Sequence, residues 1–150
     1  MPHAGQAGTR PPHHPWRRFA ELTDWSLRWA ELPVGVMGFT CHRTHTVTLA
    51  MGMSQAERRC TIAHETEHIV RGPVPPHEAI QEELAIDRSV ATLLIPNLRD
   101  VADAMVRSGG RLDAVADELW VDDYLLQVRL ASLAGSERAY VDRRLAEVTS

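Results

Sequence analysis

The chain has 150 residues and a mass of 16.8 kDa, and its 44% hydrophobic and 24% charged residues indicate one soluble globular domain and exclude disorder over the whole length. The formal net charge of -4 and the pI near 6.0 exclude a globally basic protein that coats nucleic acid. No apolar run approaches the roughly 20 residues that a membrane span needs. The N-terminus lacks the apolar segment of a secretory signal, and Cys41 and Cys60 are too few for a disulfide scaffold. We therefore expect a cytoplasmic protein.

The first part of the chain predicts a tail, a helix and a hairpin. Residues 1–14 are rich in Gly, Pro and His without a hydrophobic period, which predicts a disordered tail. Residues 15–32 carry apolar side chains at mostly helical spacing, which predicts a helix whose three tryptophans are packing anchors. Runs rich in Val, Thr and Phe at 34–41 and 46–51, joined by a short link, predict a β-hairpin.

The remainder of the chain predicts helices. Ser54 and Glu57 form the capping-box pattern that opens a helix over 54–71, which Gly72 ends, and the prolines at 73–76 make a stiff connection. The later helices are predicted at 76–95, 97–108, 112–119, 122–133 and 136–148. Because helices outnumber strands and the strands are early and adjacent, we predict an α+β fold. It would be mainly helical, with a small antiparallel β-sheet or hairpin ahead of the first long helix.

The sequence His64-Glu65-Thr66-Glu67-His68 is an HExxH motif within the helix predicted at 54–71. Residues four apart on a helix lie one turn apart on the same face, so His64 and His68 can both bind one Zn²⁺. Glu65 lies about 100° around the helix, where it can accept a proton from a water molecule at the metal. The motif therefore predicts two metal ligands and a general base, and a catalytic zinc usually has a third protein ligand.

The helix predicted at 76–95 offers two acidic residues for this third position. At 100° per residue, Glu83 and Asp87 lie within the apolar stripe of the helix, whereas Glu82 lies nearly opposite. The stripe consists of Ile80, Leu84, Val90, Ala91 and Leu94. Carboxylates within an apolar stripe are costly unless they are paired or metal-bound. We therefore interpret Glu83 as the third ligand and Asp87 as a group that orients one of the motif histidines through its distal N–H.

Three further residues near these helices are of a type that can bind a metal. His77 and Glu78 lie at the proline turn and could each bind the metal, although a loop surface is the more common place for such residues. Cys60 lies one turn before His64, and we interpret it as a small buried thiol, because three successive turns of one helix cannot easily converge on one metal. Mn²⁺ could replace Zn²⁺ at a site of two histidines and one carboxylate.

Two blocks of the chain resemble the ImmA/IrrE metallopeptidases. One is the strand-then-helix stretch that ends in the HExxH motif. The other, at 83–96, is Glu-Leu-Ala-Ile-Asp-Arg-Ser-Val-Ala-Thr-Leu-Leu-Ile-Pro, which is similar to the family pattern Glu-x-x-Ala-x-x-Phe-Ala-x-x-Leu-Leu-Met-Pro. The substituted positions are Ile86, Ser89, Val90 and Ile95. The resemblance covers about residues 45–96 and fades after that.

The resemblance implies a zincin-like fold and a cytoplasmic zinc endopeptidase of a kind often encoded by phages and mobile elements. Such enzymes cleave a DNA-bound helix-turn-helix repressor and so relieve transcriptional repression. The peptidase-like domain would span 15–108, with 109–150 as a helical segment packed on it. The zinc ligands would be His64, His68 and Glu83, and the general base would be Glu65.

The resemblance also bears on how substrate is held. The strand at Thr46–Ala50 would correspond to the edge strand that binds an extended substrate by β-augmentation. The residue that stabilises the oxyanion stays open among Tyr124, Tyr140 and His77, because no spacing rule chooses between them.

The C-terminal part looks loosely like a helix-turn-helix over 112–130. Its acidic residues, which would repel phosphates, are Asp113, Asp117, Glu118, Asp122 and Asp123. Only Arg111 and Arg129 offset them, so we interpret the segment as a cap that covers the core or docks the repressor rather than as a DNA-binding element. The leading hypothesis is a zinc endopeptidase acting on a repressor, and the alternative is a non-catalytic, zinc-containing regulatory module that binds a repressor or another protein.

Overall fold

The computed structural model describes residues 13–149 and has an α+β architecture. Its elements are α1 (Pro15–Ala20), β1 (Ser26–Ala30), β2 (Gly38–Cys41), β3 (Thr46–Ala50), α2 (Gln55–Arg71), a 3-10 turn (Pro76–Glu78), α3 (Ala79–Leu94), α4 (Leu98–Ser108), α5 (Leu112–Leu119), α6 (Asp123–Ala131) and α7 (Gly135–Thr149). The tail predicted at 1–14 lies outside the described residues except for its last two. Among the described residues, no helix combines the length and the apolar character needed to cross a membrane.

The helix predicted over 15–32 is wrong beyond its first turns. α1 ends at Ala20, and the chain then turns and enters β1. Trp25, Leu27 and Trp29 are spaced by two, which is the period of a strand. Trp25 and Leu27 pack against the smaller core cluster, whereas Trp29, towards the end of β1, is 46% exposed. The interpretation of the tryptophans as packing anchors therefore fits Trp25 and does not fit Trp29.

A three-stranded mixed sheet has the order β1-β3-β2. The predicted hairpin is confirmed, because β2 and β3 pair antiparallel. The expectation of a wholly antiparallel sheet is wrong, because the segment that was expected to be helical supplies β1, which runs parallel to β3. The strand predicted over 34–41 begins only at Gly38, since the chain turns where the Val36 N–H donates to Pro33 O.

The motif-bearing helix α2 begins and ends at its predicted signals. Ser54 Oγ accepts from the Glu57 N–H at 3.1 Å, and the Glu57 carboxylate accepts from the Ser54 N–H at 3.1 Å, which is a complete capping box. Gly72, with φ of 83°, ends the helix in a conformation that a side chain would strain. Arg18 of α1 forms an ion pair with the buried Glu67, which fastens α1 to α2.

The helix α3 folds back on α2 after the proline turn. Glu82, expected on the face opposite the apolar stripe, instead faces α2, where its carboxylate accepts from Arg71 Nε at 2.5 Å and from Nη2 at 3.1 Å. The predicted stripe is also wrong at its start, because Ile80 and Leu84 are 78% and 50% exposed. The core residues of α3 begin only at Ile86, which is fully buried and was not assigned to the stripe. The start of α3 thus contributes no apolar side chain to the core.

Two apolar clusters hold these elements together. The smaller one lies between the sheet and α2 and consists of Phe19, Val47, Leu49 and Ile62. The larger one is built from α2 to α6 around the fully buried Ile86, Val101 and Leu126. Helix α6 packs against α3, and α7 packs against α4. The helices after residue 108 therefore pack on the earlier ones, and the start of α6 reaches the part of α3 that faces α2.

Candidate metal centre

The helices α2 and α3 bring two histidines and one carboxylate together. His64 Nε2 lies 2.8 Å from Glu83 Oε2, and His68 Nε2 lies 2.8 Å from Glu83 Oε1. The two imidazole rings have centroids 5.0 Å apart, as expected for residues one helical turn apart. One donor atom from each of the three residues lies within 4.8 Å of the others, so this group could hold a metal ion.

The donor set fits the chemistry of zinc. Two imidazole nitrogens and one carboxylate oxygen are the ligand types of catalytic zinc sites, in which a further position is left for water or substrate. Both histidines are partly exposed, and Glu83 is half exposed, so the group opens onto solvent. A pocket of about 370 Å³ lies over His64, Glu65 and His68 and gives a small molecule or a peptide access to the group.

Glu65 lies in the same pocket, outside the donor group. Its side chain is buried, and the Thr40 hydroxyl donates to Glu65 Oε2 at 2.6 Å. Thr40 is on β2, so the sheet fixes the orientation of a carboxylate carried by α2. Thr40 could not be predicted from the sequence, because no spacing rule links a threonine 25 residues upstream to the motif.

Asp87 contacts the opposite side of the first motif histidine. Its Oδ1 lies 3.1 Å from His64 Nδ1, and its Oδ2 accepts from the Tyr124 hydroxyl at 2.6 Å. This hydrogen bond to a carboxylate, together with burial, raises the pKa of Tyr124 to about 12. Metal-binding histidines commonly donate their second N–H to a carboxylate in this way, which fixes the ring and its tautomer.

The other candidate ligands do not join the group. His77 and Glu78 are exposed on the 3-10 turn, with His77 Nε2 3.7 Å from Glu78 Oε1. Cys60 is buried in the larger core cluster, where burial raises its pKa to about 12, and its Sγ accepts from the Asp122 N–H at 3.4 Å. The interpretation of Cys60 as a buried thiol is confirmed.

The three residues considered for stabilising the oxyanion lie in different parts of the structure. Tyr140 lines a different cavity, and His77 does not line the pocket. Tyr124 reaches the centre only through Asp87, to which its hydroxyl is already donated. His42, which was predicted only as part of the hairpin link, does line the pocket. Burial and the nearby His68 hold the pKa of His42 below its usual value, and the ring packs edge-on against Trp25.

The strand beside the pocket is not the expected one. Thr46–Ala50, expected to be the edge strand, is the central strand β3 and is paired on both sides, so it has no free edge for a substrate. Strand β2 is the edge strand next to α2, and its residues Gly38, Phe39 and Thr40 line the pocket. The error arose because β1 was assigned to a helix, which left β3 without its second neighbour.

Comparisons of this chain with protein-family models, with curated proteins and with solved structures find no match. The site is therefore interpreted from its own residues and their geometry.

Proposed function

We propose that this chain is a zinc-dependent endopeptidase with a zincin-like fold, of the ImmA/IrrE type. The observation that carries the proposal is the different placement of two adjacent residues of α2. His64 lies in one donor group with His68 and Glu83, while Thr40 holds Glu65 outside that group and in the same pocket. A structural zinc site has no need of a buried carboxylate beside its ligands, so Glu65 favours an enzyme over a non-catalytic regulatory module.

Zinc, when bound, supplies a Lewis acid that polarises a carbonyl and lowers the pKa of a water molecule to about 7. His64, His68 and Glu83 would hold the ion. Glu65 accepts a proton from the attacking water and returns it to the leaving amine. Thr40 donates to Glu65 Oε2, and within the described part of the chain no donor contacts Oε1, which leaves that oxygen for the water. Thr40 therefore determines which oxygen of the Glu65 carboxylate takes the proton.

The edge of β2 supports a polypeptide as the substrate. β2 has one neighbour in the sheet, and the pocket begins beside it. A peptide that pairs with the outer edge of β2 would be held in an extended form by main-chain hydrogen bonds, whatever its sequence. Phe39, half exposed on this strand, would contact one of its side chains. Following the sequence resemblance, we propose that the substrate is a cytoplasmic helix-turn-helix repressor and that its cleavage relieves transcriptional repression.

The metal content of the purified chain tests the site. Elemental mass spectrometry should find about one zinc per chain in the wild type and little in Glu83→Ala. Glu78→Ala is the matched control, because it removes a neighbouring carboxylate that lies on the 3-10 turn outside the donor group, and it should keep the zinc. A wild type that binds no transition metal after reconstitution would overturn the proposal.

Glu65→Gln then separates the enzyme from the regulatory module. The variant should bind zinc like the wild type and lose cleavage by about 10²- to 10⁴-fold, as expected for a general base. The assay counts new N-termini that the protein generates in a native protein extract of the source cell, which contains folded helix-turn-helix repressors. Equal cleavage by both forms would contradict the role of Glu65. A zinc-loaded wild type that generates no new N-termini would favour the regulatory module.

A further inference from the structure

A cavity of about 1510 Å³ lies away from the metal centre and is lined by none of the proposed metal ligands. Its walls come from α1 and β1, the start of α2, the junction between α3 and α4, the end of α5, α6 and α7. Small-molecule sites are typically about 300–1,000 Å³. This groove is larger, so it suits a segment of a macromolecule.

Exposed tryptophans are the first distinctive feature of the groove. Trp16 and Trp29 stack on one another with ring centroids 6.3 Å apart and planes at 29°. Trp120, on the α5 side, is 65% exposed. Large exposed aromatic side chains that share one groove mark binding sites more often than isolated exposed residues do.

Trp120 also has an unusual backbone. Its φ is 60°, in the left-handed region that glycine adopts freely and that other residues rarely adopt. It is the residue at which α5 ends, where its N–H donates to Ala116 O and Asp117 O, and Arg59 Nη1 donates to its carbonyl oxygen at 2.9 Å. Glycine would suit this turn better, and the indole is not buried in the core. The side chain at this position is therefore better explained by a ligand than by folding.

The charge of the groove is the third feature. Five arginines and three acidic residues line it, so it is positive on a chain whose net charge is -4. Glu118 is neutralised by Arg107, from which its carboxylate accepts at 2.6 Å. Among the described residues, Arg17 and Arg58 have no ion-pair or side-chain hydrogen-bond partner. The groove thus offers two uncommitted guanidinium groups beside its aromatic rings.

These features select a protein rather than a nucleic acid. Tryptophan, tyrosine and arginine are the residues that dominate protein–protein binding energy, and Leu94, Ile95 and Leu119 give the groove an aliphatic floor. A nucleic acid backbone needs a longer series of basic contacts than two free arginines supply. We propose that this groove binds an acidic segment of a protein partner, whose apolar side chains contact Trp16, Trp29 and Trp120 and whose carboxylates pair with Arg17 and Arg58.

The probe for this proposal is a set of peptides selected from a random 12-residue display library on the wild-type chain. The selected sequences should combine Asp or Glu with aromatic or large aliphatic residues. In two-dimensional NMR spectra, binding should shift the indole N–H signals of Trp16, Trp29 and Trp120. Trp25 packs with the smaller core cluster beside the hairpin, so its indole signal is the internal control and should not move.

Two variants test the contacts. Arg17→Glu combined with Arg58→Glu should weaken the selected peptides by about tenfold or more, while Arg143→Glu, which reverses an exposed charge on α7 outside the groove, should not. Trp120→Gly should weaken them by about thirtyfold, the loss typical of a central interface residue. Because glycine relieves the left-handed backbone, this variant should melt no lower than the wild type, which separates loss of binding from loss of fold.

Each of three results would overturn the proposal. In the first, the selected peptides are basic, or they bind the Arg17→Glu, Arg58→Glu double variant and Trp120→Gly as tightly as they bind the wild type. The second is that a 12-residue oligothymidylate shifts the three indole signals while the peptides do not. The third is a wild-type dimer in sedimentation velocity that Trp120→Gly dissociates, because the occupant would then be a second copy of the chain.

Discussion

Tyr124 on α6 donates a hydrogen bond to Asp87 on α3, with 2.6 Å between the two oxygens, and so joins the C-terminal helices to the candidate metal centre. The other Asp87 oxygen lies 3.1 Å from His64 Nδ1. When Nδ1 of His64 carries the proton, its Nε2 lone pair points towards the donor group that includes Glu83. Through these two contacts, a residue after 108 helps to orient His64, the first histidine of the candidate metal centre.

Replacing the residues behind His64 should weaken metal binding. We expect Asp87→Ala to lower zinc affinity by about 10- to 100-fold, since the ring of His64 would lose its fixed orientation. Tyr124→Phe should lower the affinity less, because it acts through Asp87, and adding it to Asp87→Ala should have no further effect. Competition with a chromogenic chelator measures these affinities. Tyr140→Phe is the control and should bind zinc like the wild type. If Tyr124→Phe lowered zinc affinity in the Asp87→Ala chain but not in the wild type, the connection through Asp87 would be contradicted.

The hydroxyl of Thr40 should matter for cleavage and not for metal content. Thr40→Val keeps the shape of the side chain and removes the donor to Glu65 Oε2. Because a hydrogen bond to a charged group contributes about 1.5–3 kcal/mol, we expect kcat/KM to fall by about tenfold or more. Zinc content should be that of the wild type. Thr92→Val, on the exposed face of α3, should leave both quantities unchanged, and an equal loss in the two variants would contradict the role of Thr40.

Gly38 is where β2 comes closest to its neighbours. A Cβ at this position would lie 2.9 Å from Thr48 O, 2.9 Å from Thr61 Cγ2 and 3.0 Å from Leu49 Cδ2. Gly38→Ala should therefore lower the free energy of unfolding by about 1–3 kcal/mol, measured by urea denaturation, because β2 or α2 must move to make room for the methyl group. Gly135→Ala is the matched control. It meets nothing within 4 Å and should be neutral or slightly stabilising.

Asp122 should make stability depend on pH in a defined direction. Burial raises its pKa, and the charges of Glu57 and Asp123 raise it further. The folded chain then holds the proton more tightly than the unfolded chain, so this carboxyl favours folding at low pH. That contribution is lost as the pH rises from the ordinary aspartate value through the raised one, and at neutral pH the buried charge is a cost.

Replacing this carboxyl by an amide tests the sign. Asn keeps an oxygen to accept from the Leu125 N–H, 2.8 Å from Asp122 Oδ1, and so keeps the helix cap. Asp122→Asn should raise the free energy of unfolding at pH 7, and the gain should shrink towards zero at about pH 3, below the ordinary pKa of aspartate. Asp142→Asn, at an exposed position on α7 whose charge does not act on Asp122, should give no gain. A gain of Asp122→Asn that is the same at both pH values would contradict the argument.

Local signals in the sequence predicted the helix that carries the motif. The capping box at Ser54 and the ending at Gly72 depend on residues within a few positions, so they could be read from the chain. Positions counted at 100° per residue also predicted that Glu83 faces α2, although the same count wrongly assigned Ile80 to the buried stripe. The start of α3 contributes nothing to the core, and no local pattern reports which part of a helix has neighbours.

The contacts that the sequence did not predict depend on strand order. Trp25 and Trp29 fit a helical and an alternating pattern equally well, and pairing of β1 with β3 decided between them. That pairing makes β3 central and β2 the edge, which in turn places Thr40 on Glu65 and His42 in the pocket. These positions follow from long-range pairing, for which a single sequence carries no spacing rule.

The two outer strands of the sheet differ in how they are protected. β1 carries Arg28 at its middle, and a charge on an edge strand discourages pairing with another chain. β2 has the sequence Gly-Phe-Thr-Cys and no charged residue. An uncharged edge beside a half-exposed Phe39 is a place where two chains can join their sheets when they are concentrated. We therefore expect self-association and precipitation to begin at β2, and a charge introduced at Phe39 to keep the protein in solution.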